Sequence, residues 1–472
     1  MTIIYFTNTV KTIELFLKII YVLNETYYNI YIVLTFRRMG IGGYNMINSK
    51  VLQNQIENGE FDEKLKDIYG VEKTVLAAQR TRYQAAISKY EELFGEDDVE
   101  IYSAPGRTEI CGNHTDHQHG SVLAASINLD AISIVGAGDT DKVDFVSEGY
   151  APISFDINNL DITEETKGTT TALIRGVMKG MQDRGYKTGP FKAYVTSDVL
   201  SGSGLSSSAA LESIIGTILS GLYNDMSVSP VDIAIIGQYA ENVYFGKPSG
   251  LMDQIACSVG DFVHIDFADP KKPIVTKINF DIFAEGYRLC IVDTKGSHAN
   301  LTDDYAAITV DMKQVASYFG KEYLNEITLD EFISAMPDLY GKVGDRCVLR
   351  AFHYLTEVDR VSRASTALKE KRFSDFLEVI RESGNSSYKY LQNVYSNKYE
   401  QTQPVPTTLM LTEHYLKDNG VCRVHGGGFA GTIQAFVKEE AVAGYKEFIE
   451  KVLGEGTCHV LSIRKQGGVK VL

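Results

Sequence analysis

The chain has 472 residues and a formal net charge of −15, which predicts two or three domains, each large enough to bury a hydrophobic core. The acidic balance argues against nucleic acid as the main partner, although a local positive site would still accept an anionic small molecule. The six cysteines are scattered without a CxxC pair, a pattern typical of a reducing compartment rather than of a zinc site. We therefore expect a cytoplasmic protein.

The first 45 residues differ in composition from the rest of the chain. Two apolar runs, at 13–23 and 27–36, fall short of the ~18 apolar residues that a membrane span needs, and no clear cleavage site of a signal peptide follows them. We expect residues 1–45 to be an extension outside the fold, translated from an early start codon, with Met39 or Met46 as the true start. A peptide covering residues 13–23 in the natural protein would contradict this.

Helical and β-like patterns then follow without regular βαβ alternation. Helices are expected at 57–94 (broken at Gly70), 170–184, 205–223, 230–244, 302–318, 345–357, 360–370, 373–381 and 440–452. Strands are expected at 99–107, 121–127, 131–138, 142–147, 191–196, 262–267, 287–294, 421–425, 432–437 and 458–463. The order predicts an α+β fold with two lobes. We divide it into a helical leader (46–94), a first domain (95–285) and a second domain (286–472).

A serine-rich loop, SGSGLSSSAA at 201–210, stands between a predicted strand and a predicted helix. Its glycines allow a ligand to approach the backbone. The unpaired N–H groups and positive dipole end of the helix that follows suit phosphate. The loop is not a Walker A motif, because no Gly-Lys-Ser/Thr follows it. A flexible linker is the alternative, which the regular apolar pattern after Ser208 disfavours.

A charged loop, GRTEICGNHTDH at 106–117, lies between two predicted strands. It could offer Arg107 to an anion and Asp116 to sugar hydroxyls, because a carboxylate accepts paired O–H bonds well. A solvated charged turn is the alternative. The three histidines at 114, 117 and 119 match zinc-ligand spacings poorly.

Two further segments complete the candidate site. Residues 426–431 (GGGFAG) formally fit the dinucleotide fingerprint, but that fingerprint requires a helix afterwards, and a β-like run follows here. We expect a tight turn between strands. Asp253 follows a Pro/Gly break, and Glu241 lies twelve residues before it in a predicted helix. Together with the serine loop, these carboxylates suit Mg²⁺–nucleotide chemistry, while each alone is more often a surface group.

From about residue 94 onward, these motifs resemble the GHMP small-molecule kinases and, within them, the galactokinase family. GLSSSAALE at 204–212 matches a family motif unchanged, whereas GRTEICGNHTDH and GGGFAG are variants of two others. The segments MDQ at 252–254 and DTKGSHANLTDDY at 293–305 match as well. The resemblance implies a mixed-sheet N-terminal lobe with the ATP loop, an α/β-sandwich C-terminal lobe and a site in the cleft between them.

The resemblance also implies an ATP- and Mg²⁺-dependent sugar 1-kinase. It makes Asp253 the base for the anomeric hydroxyl and Arg107 the cation at the transferring phosphoryl, with Ser208 and Glu241 as metal ligands. The ATP-binding residues that it implies are Ser147, Gly202, Ser203, Gly204, Leu205, Ser206, Ser207 and Ser208. The sugar-binding residues are Asn113, His114, Thr115, Asp116 and Tyr305.

Three positions depart from the family pattern: Asn113 replaces Glu, Glu109 replaces Asn and His117 replaces Tyr. A neutral amide at 113 would tolerate a sugar carboxylate, so galacturonate is an alternative to galactose, as are glucuronate and arabinose. A non-catalytic sugar sensor is the rival from another class; the presence of Asp253, Arg107 and Ser208 argues against it. We expect a monomer or weak dimer, with no nucleic-acid or membrane partner.

Overall fold

In a computed structural model of the protein, the described residues are 46–71, 73–200, 204–297 and 301–472. The expectation for residues 1–45 falls outside them. Residues Ile47–Leu472 form one compact unit. Within the described ranges, each helix is too short or too polar to cross a lipid bilayer.

The first sheet is built on a long antiparallel pair, β2 (Asp98–Cys111) and β3 (Ser121–Ala137), in register from Val99–Gly136 to Cys111–Leu123 with two shifts. Almost every residue of both strands is buried, because the sheet is covered on both faces. The remaining strands of this sheet are β1 (Ile47–Asn48), β4 (Lys142–Ser147), β5 (Ile153–Asp156), β6 (Phe191–Ser197), β7 (Phe262–Asp266), β8 (Ile274–Ile278) and β13 (Val469–Lys470). Strands β4 and β6 pair in parallel, which makes the sheet mixed, as predicted.

Three helices precede β2: α1 (Ser49–Glu57), α2 (Asp62–Tyr69) and α3 (Lys73–Phe94). Gly70 ends α2, as predicted, with a φ of 96° that favours glycine. The apolar faces of these helices pack on Ile101 and Ile132 of the first sheet. The helical leader therefore covers one face of the sheet.

Four helices in the middle of the chain carry or support the serine loop: α4 (Thr170–Asp183), α5 (Ser207–Asn224), α6 (Pro230–Tyr239) and α7 (Met252–Val259). A π-helical turn, Ala240–Phe245, continues α6. The side chains of Thr169 and Ser229 accept hydrogen bonds from the first turns of α4 and α6, which satisfies N–H groups that those turns leave unpaired. Helix α5 is apolar and buried along most of its length.

The second sheet has the antiparallel order β10-β11-β9-β12, with strands β9 (Tyr287–Gly296), β10 (Gly420–Val424), β11 (Gly431–Lys438) and β12 (Cys458–Leu461). The glycine-rich residues 426–428 turn between β10 and β11, as predicted, and a strand rather than a helix follows them. The helices of this half are α8 (Thr302–Tyr318), α9 (Leu329–Leu339), α10 (Asp345–Lys369), α11 (Phe373–Ser386), α12 (Pro404–Leu416) and α13 (Glu439–Leu453).

Three sequence-based expectations for this half were wrong or incomplete. The helices predicted at 345–357 and 360–370 are one continuous helix, α10. Helices α9 and α12 were not predicted. The chain also returns to the first sheet after β12, because β13 pairs with β2 and Leu472 accepts a hydrogen bond from the N–H of Ile101. The predicted domain limits stay a prediction.

Candidate active site

The centre of the candidate site is an ion pair between Arg107, near the end of β2, and Asp253, in the first turn of α7. Arg107 Nε donates to Asp253 Oδ1 at 2.7 Å, and Arg107 Nη2 donates to Oδ2 at 2.8 Å. Such bidentate pairing fixes both side chains in one geometry. The Arg107 side chain is 8% exposed and that of Asp253 is 33% exposed, so the carboxylate lies at the accessible end of the pair.

Asp253 is held in its ionised form. Desolvation opposes the charge, but the charge of Arg107 and the hydrogen bonds from Arg107 and Ser206 outweigh it, so the pKa of Asp253 lies below its ordinary value. Asp253 likewise raises the pKa of Arg107 against the effect of burial. At neutral pH the site therefore contains a carboxylate able to accept a proton and a fixed cation beside it.

The serine loop reaches this pair directly. Ser206 Oγ donates to Asp253 Oδ2 at 2.5 Å, and Arg107 Nη1 donates to the carbonyl of Gly204. A Cβ on Gly106 would lie 2.9 Å from the carbonyl of Leu205, so only glycine permits this approach. The structure thus brings together Gly204, Leu205, Ser206, Ser207 and Ser208 at the N-terminus of α5, next to the ion pair. Gly202 and Ser203 lie outside the described residues.

Ser208 and Glu241 face each other across the loop, with Ser208 Oγ 3.4 Å from Glu241 Oε1. The carboxylate of Glu241 also accepts from Lys247 Nζ at 2.9 Å and from Gln254 Nε2 at 2.9 Å. A hydroxyl and a carboxylate beside a phosphate loop form the type of oxygen-donor set that Mg²⁺ prefers. The described residues contain no cluster of three or more His, Cys, Asp or Glu side chains that could hold a metal by itself, so phosphate oxygens and water would have to complete the site.

Ser147 lies apart from the serine loop, at the end of β4 and beside β6. It lines an open cavity of about 490 Å³ between these strands and helix α3, together with Arg82, Ala85 and Tyr194. The volume is sufficient for a nucleoside. The leader helix α3, which the sequence did not connect with the site, therefore forms one wall of the cavity.

The predicted sugar-binding residues occupy different environments. Asn113 is fully buried, and its two amide hydrogens go to Glu109 Oε1 at 2.8 Å and to the carbonyl of Gly426 at 2.6 Å. Thr115 Oγ1 donates to the backbone carbonyls of Gly112 and of Ser121, the first residue of β3. Asp116 lies next to the segment before Asp253, because a Cβ on Gly250 would come within 2.7 Å of its Oδ2.

The other two predicted sugar contacts lie against the glycine turn. His114 Nε2 contacts the carbonyl of Gly427 at 2.9 Å, and the Tyr305 hydroxyl donates to the carbonyl of Gly428 at 2.8 Å. Desolvation and the neighbouring His117 lower the pKa of His114 to about 4. Its ring is therefore neutral at pH 7 and donates through Nε2. The loop and Tyr305 converge on one turn, whereas residues 298–300 of the matching segment are outside the description.

The family models "Galactokinase galactose-binding signature" and "GHMP kinases N terminal domain" match residues 88–137 and 172–261. A galactokinase of Actinobacillus pleuropneumoniae is 30% identical over 400 residues, which cover 82% of this chain and 95% of that protein. A galactokinase of Streptomyces coelicolor is 27% identical, with coverage of 77% and 90%.

The chain belongs to the galactokinase family. It is accordingly a sugar kinase, and ATP is the co-substrate that this family implies. Solved structures agree on the fold. Lactococcus lactis galactokinase complexed with galactose superimposes with a TM-score of 0.69 at 24% identity, over 82% of this chain and all of that chain. Methanococcus jannaschii mevalonate kinase has a TM-score of 0.55 at 15% identity, with coverage of 78% and 98%. The α+β fold is the two-lobed GHMP kinase fold, as predicted.

Four residues of this galactokinase-family site were missed or given no role by sequence reasoning. Lys247 and Gln254 both bond Glu241; Gln254 was noted only as part of a motif. Glu109 was noted as a departure, but the structure makes it the partner of Asn113. Asn393 donates to Asn113 Oδ1 from 280 residues away. No local pattern marks Asn393, because its partners are known only after the chain has folded.

Glu109 gives this family member a testable pH dependence of stability. Burial raises the pKa of Glu109 to about 7, against the attraction of Arg423 and Arg107 and the hydrogen bond from Asn113, while Asp116 adds to the rise. Between pH 4.5 and 7 the folded chain keeps a proton that the unfolded chain loses. This contribution is therefore fully present below about pH 4.5 and is lost as the pH rises through 7.

Replacing Glu109 by Gln should remove this slope. From pH 4.5 to 7.5, we expect the free energy of unfolding of the wild type to decrease by about 3 kcal/mol relative to that of Glu109→Gln. The figure follows from about 1.4 kcal/mol for each unit of pKa difference between the folded and unfolded states. Urea denaturation at several pH values measures it. Glu378→Gln, an exposed control that removes a partner of Arg381, should follow the wild type. An identical pH profile for Glu109→Gln would show that Glu109 does not titrate in this range.

Proposed function

We propose that this protein transfers the γ-phosphoryl group of ATP to the anomeric hydroxyl of galactose, giving galactose 1-phosphate and ADP. One observation supports this most strongly: the bidentate Arg107–Asp253 pair lies in hydrogen-bonding contact with the serine loop. A base and a cation are thereby placed where a phosphate-binding loop begins a helix. The galactokinase relatives supply the expectation that the acceptor is galactose.

In the proposed reaction, the carboxylate of Asp253 takes the proton of the anomeric hydroxyl. The sugar oxygen forms its bond to the γ-phosphorus while the bond from that phosphorus to the bridging oxygen of ADP breaks. Arg107 stabilises the negative charge on the transferring group, and the N–H groups at the start of α5 hold the phosphates. This division of labour suits phosphoryl transfer, which depends on positioning and charge neutralisation more than on covalent catalysis.

Residues 202–208 would hold the triphosphate, and Ser147 would contact the nucleoside from the cavity beside α3. The side chains of Ser208 and Glu241 would hold Mg²⁺ beside the phosphates. When bound, the ion would neutralise phosphate charge. Lys247 lies within hydrogen-bonding distance of the same carboxylate and supplies a second positive charge to this region.

The metal assignment predicts the behaviour of Glu241→Gln. The variant should need roughly tenfold more Mg²⁺, or more still, for half-maximal rate, because an amide oxygen is a weaker ligand than a carboxylate. Calorimetry of ATP binding at several Mg²⁺ concentrations should show the same displacement without any turnover. Glu164→Gln, which removes an exposed Glu–Lys pair, is the matched control. An unchanged Mg²⁺ requirement would remove Glu241 from the metal site.

The structure bears on the choice of sugar as well. The case for galacturonate was that a neutral amide at 113 would tolerate a sugar carboxylate. In the structure both amide hydrogens of Asn113 are taken by Glu109 and Gly426, and its oxygen accepts from Asn393. No donor of Asn113 is left for a sugar carboxylate. The nearby carboxylate of Asp116 would also repel one. We therefore favour a neutral sugar.

An ADP-release assay over galactose, galacturonate, glucuronate, arabinose and N-acetylgalactosamine tests the proposal. We expect the highest kcat/KM with galactose. A higher value for a uronate would overturn the choice of sugar. Absence of turnover with every sugar, alongside measurable sugar binding, would favour a sensor without catalysis.

A further inference from the structure

The glycine turn between β10 and β11 is held through three consecutive carbonyl groups. Gly426 accepts from Asn113 Nδ2, Gly427 from His114 Nε2 and Gly428 from the Tyr305 hydroxyl, at 2.6, 2.9 and 2.8 Å. The three donors are predicted sugar contacts. Each of these predicted sugar contacts is therefore hydrogen-bonded to a different carbonyl of the turn.

Asn393 makes the connection between the two segments. It is fully buried, two residues after the π-helical turn Ser387–Leu391 that continues α11. Its Nδ2 donates to Asn113 Oδ1 and, at 3.1 Å, to the carbonyl of Gly427. Its own backbone carbonyl accepts from the N–H of Phe429 at 2.5 Å. One residue thus bonds Asn113 in the charged loop at 106–117 and both Gly427 and Phe429 of the turn.

The close approach of Asn393 is built into the turn. A Cβ on Gly428 would lie 2.0 Å from the carbonyl oxygen of Asn393, and the φ of Gly428 is +80°. A residue with a side chain would clash there and would also be strained. Glycine at 428 therefore serves the contact with Asn393, in addition to the bend of the chain.

We propose that Asn393 is a positioning residue of the sugar site, which fixes the orientation of Asn113 and the turn so that His114 and Tyr305 are presented to the sugar. The inference rests on the proposed function. Its physical basis is that an amide has two N–H donors in a fixed plane, and here each serves a different segment. Asn113 uses both of its own hydrogens elsewhere, so its oxygen depends on Asn393 for a donor.

The nucleotide side of the site should not depend on this amide. Gly204 and Asp253 are held by hydrogen bonds from Arg107, and Ser206 donates to Asp253. Glu241 is held by Lys247 and Gln254. Loss of the Asn393 amide takes the donor from the buried Asn113 Oδ1 and leaves the Gly427 carbonyl with His114 Nε2 as its donor. Asn113 will move to recover a donor, and the turn and the predicted sugar contacts will move with it.

The experiment compares Asn393→Ala with Asn385→Ala. Asn385 is on the preceding helix, α11, and its exposed Nδ2 donates to the backbone carbonyl of Arg381 one helical turn earlier. For Asn393→Ala we expect a rise of at least tenfold in the KM for galactose and a change of less than twofold in the KM for ATP. The Kd for galactose, measured by calorimetry, should rise in parallel. Asn385→Ala should match the wild type in all three values.

Asn393→Asp is the second variant, because it keeps the size of the side chain and removes its donors, and it should raise the galactose KM at least as much as Ala. If the Ala variant is too unstable to assay, Asn393→Ser, which retains a single donor, gives the same comparison. Folded variants with an unchanged galactose KM, or with equal rises in both KM values, would overturn the inference. A wild type that does not phosphorylate galactose would instead overturn the proposed function, and the KM comparison would then use the sugar that is turned over.

Discussion

Replacing Asp253 by Asn should lower kcat by about 10²–10⁴-fold, the usual effect of losing a general base. The amide has nearly the shape of the carboxylate but cannot take the proton of a sugar hydroxyl. Binding of ATP, measured by calorimetry, should change little, because the loop at the N-terminus of α5 and Glu241 remain in place. The signature is therefore a loss of rate at nearly constant nucleotide affinity.

Asp183→Asn is the control for this variant, since Asp183 is an exposed carboxylate paired only with Lys179 one helical turn away. It should retain full activity. If Asp253→Asn retains more than about a tenth of the wild-type kcat, far above the residual rate expected without a general base, then Asp253 is not the base. If ATP binding is lost together with activity, the pair with Arg107 organises the loop instead.

The serine loop and the first charged loop were predictable because each is contiguous. Residue type and spacing alone suggested a phosphate site at 201–208 and an Arg/Asp loop at 106–117. That Arg107 of the charged loop pairs with Asp253 beside the serine loop was predictable only through the family resemblance, since the two residues are 146 positions apart in the sequence. Glu109 and Asn113 show the limit of that approach. Considered separately, these two departures suggested a neutral amide facing the sugar. In the structure the Asn113 amide donates a hydrogen bond to the Glu109 carboxyl group instead.

The error in helix α10 has a specific cause. The sequence analysis placed one helix at 345–357 and another at 360–370, and charged residues lie where the two meet. In the structure Glu357 and Arg360 are both buried, and Arg360 Nε donates to Glu357 Oε2 at 2.6 Å. Glu357 also accepts from the N–H of Gly112. The polar stretch is thus part of the buried face of a single helix, which a hydrophobic pattern cannot reveal.

The C-terminal tail was missed for a similar reason. Arg464 directly follows the predicted closing strand and was given no role there, but it is fully buried and donates to Asp130 Oδ2 at 2.7 Å and to Ser103 Oγ at 2.7 Å. The partner of Arg464 is a carboxylate 334 residues earlier in the chain. A polar segment of this kind is interpreted from sequence alone as exposed to solvent. Charged residues are usually exposed, so composition and periodicity do not indicate which of them form buried ion pairs.

Replacing Asp130 by Asn should lower the free energy of unfolding by about 3–5 kcal/mol, the range for breaking a buried ion pair on one side. Asp130 is fully buried and accepts from Arg82 Nη1 at 2.6 Å, from Arg464 Nη1 and, at 2.6 Å, from the Tyr69 hydroxyl. The variant leaves two guanidinium groups without their shared counter-ion. Urea denaturation followed by circular dichroism at pH 7 measures the change.

Asp198→Asn is a control with the same substitution and the same arginine. Asp198 Oδ2 lies 3.0 Å from Arg82 Nη1, but its side chain is 46% exposed, so a loss of about 0–1 kcal/mol is expected. Burial opposes the ionised form of Asp130, yet the two arginines hold its pKa below the ordinary value. Its contribution is therefore present above the unfolded pKa of about 4 and is lost as the pH falls below it. Equal losses for the two variants at pH 7 would mean that burial does not strengthen this network. A larger loss at Asp130 would show that the leader helices, the first sheet and the C-terminal tail are stabilised through one carboxylate.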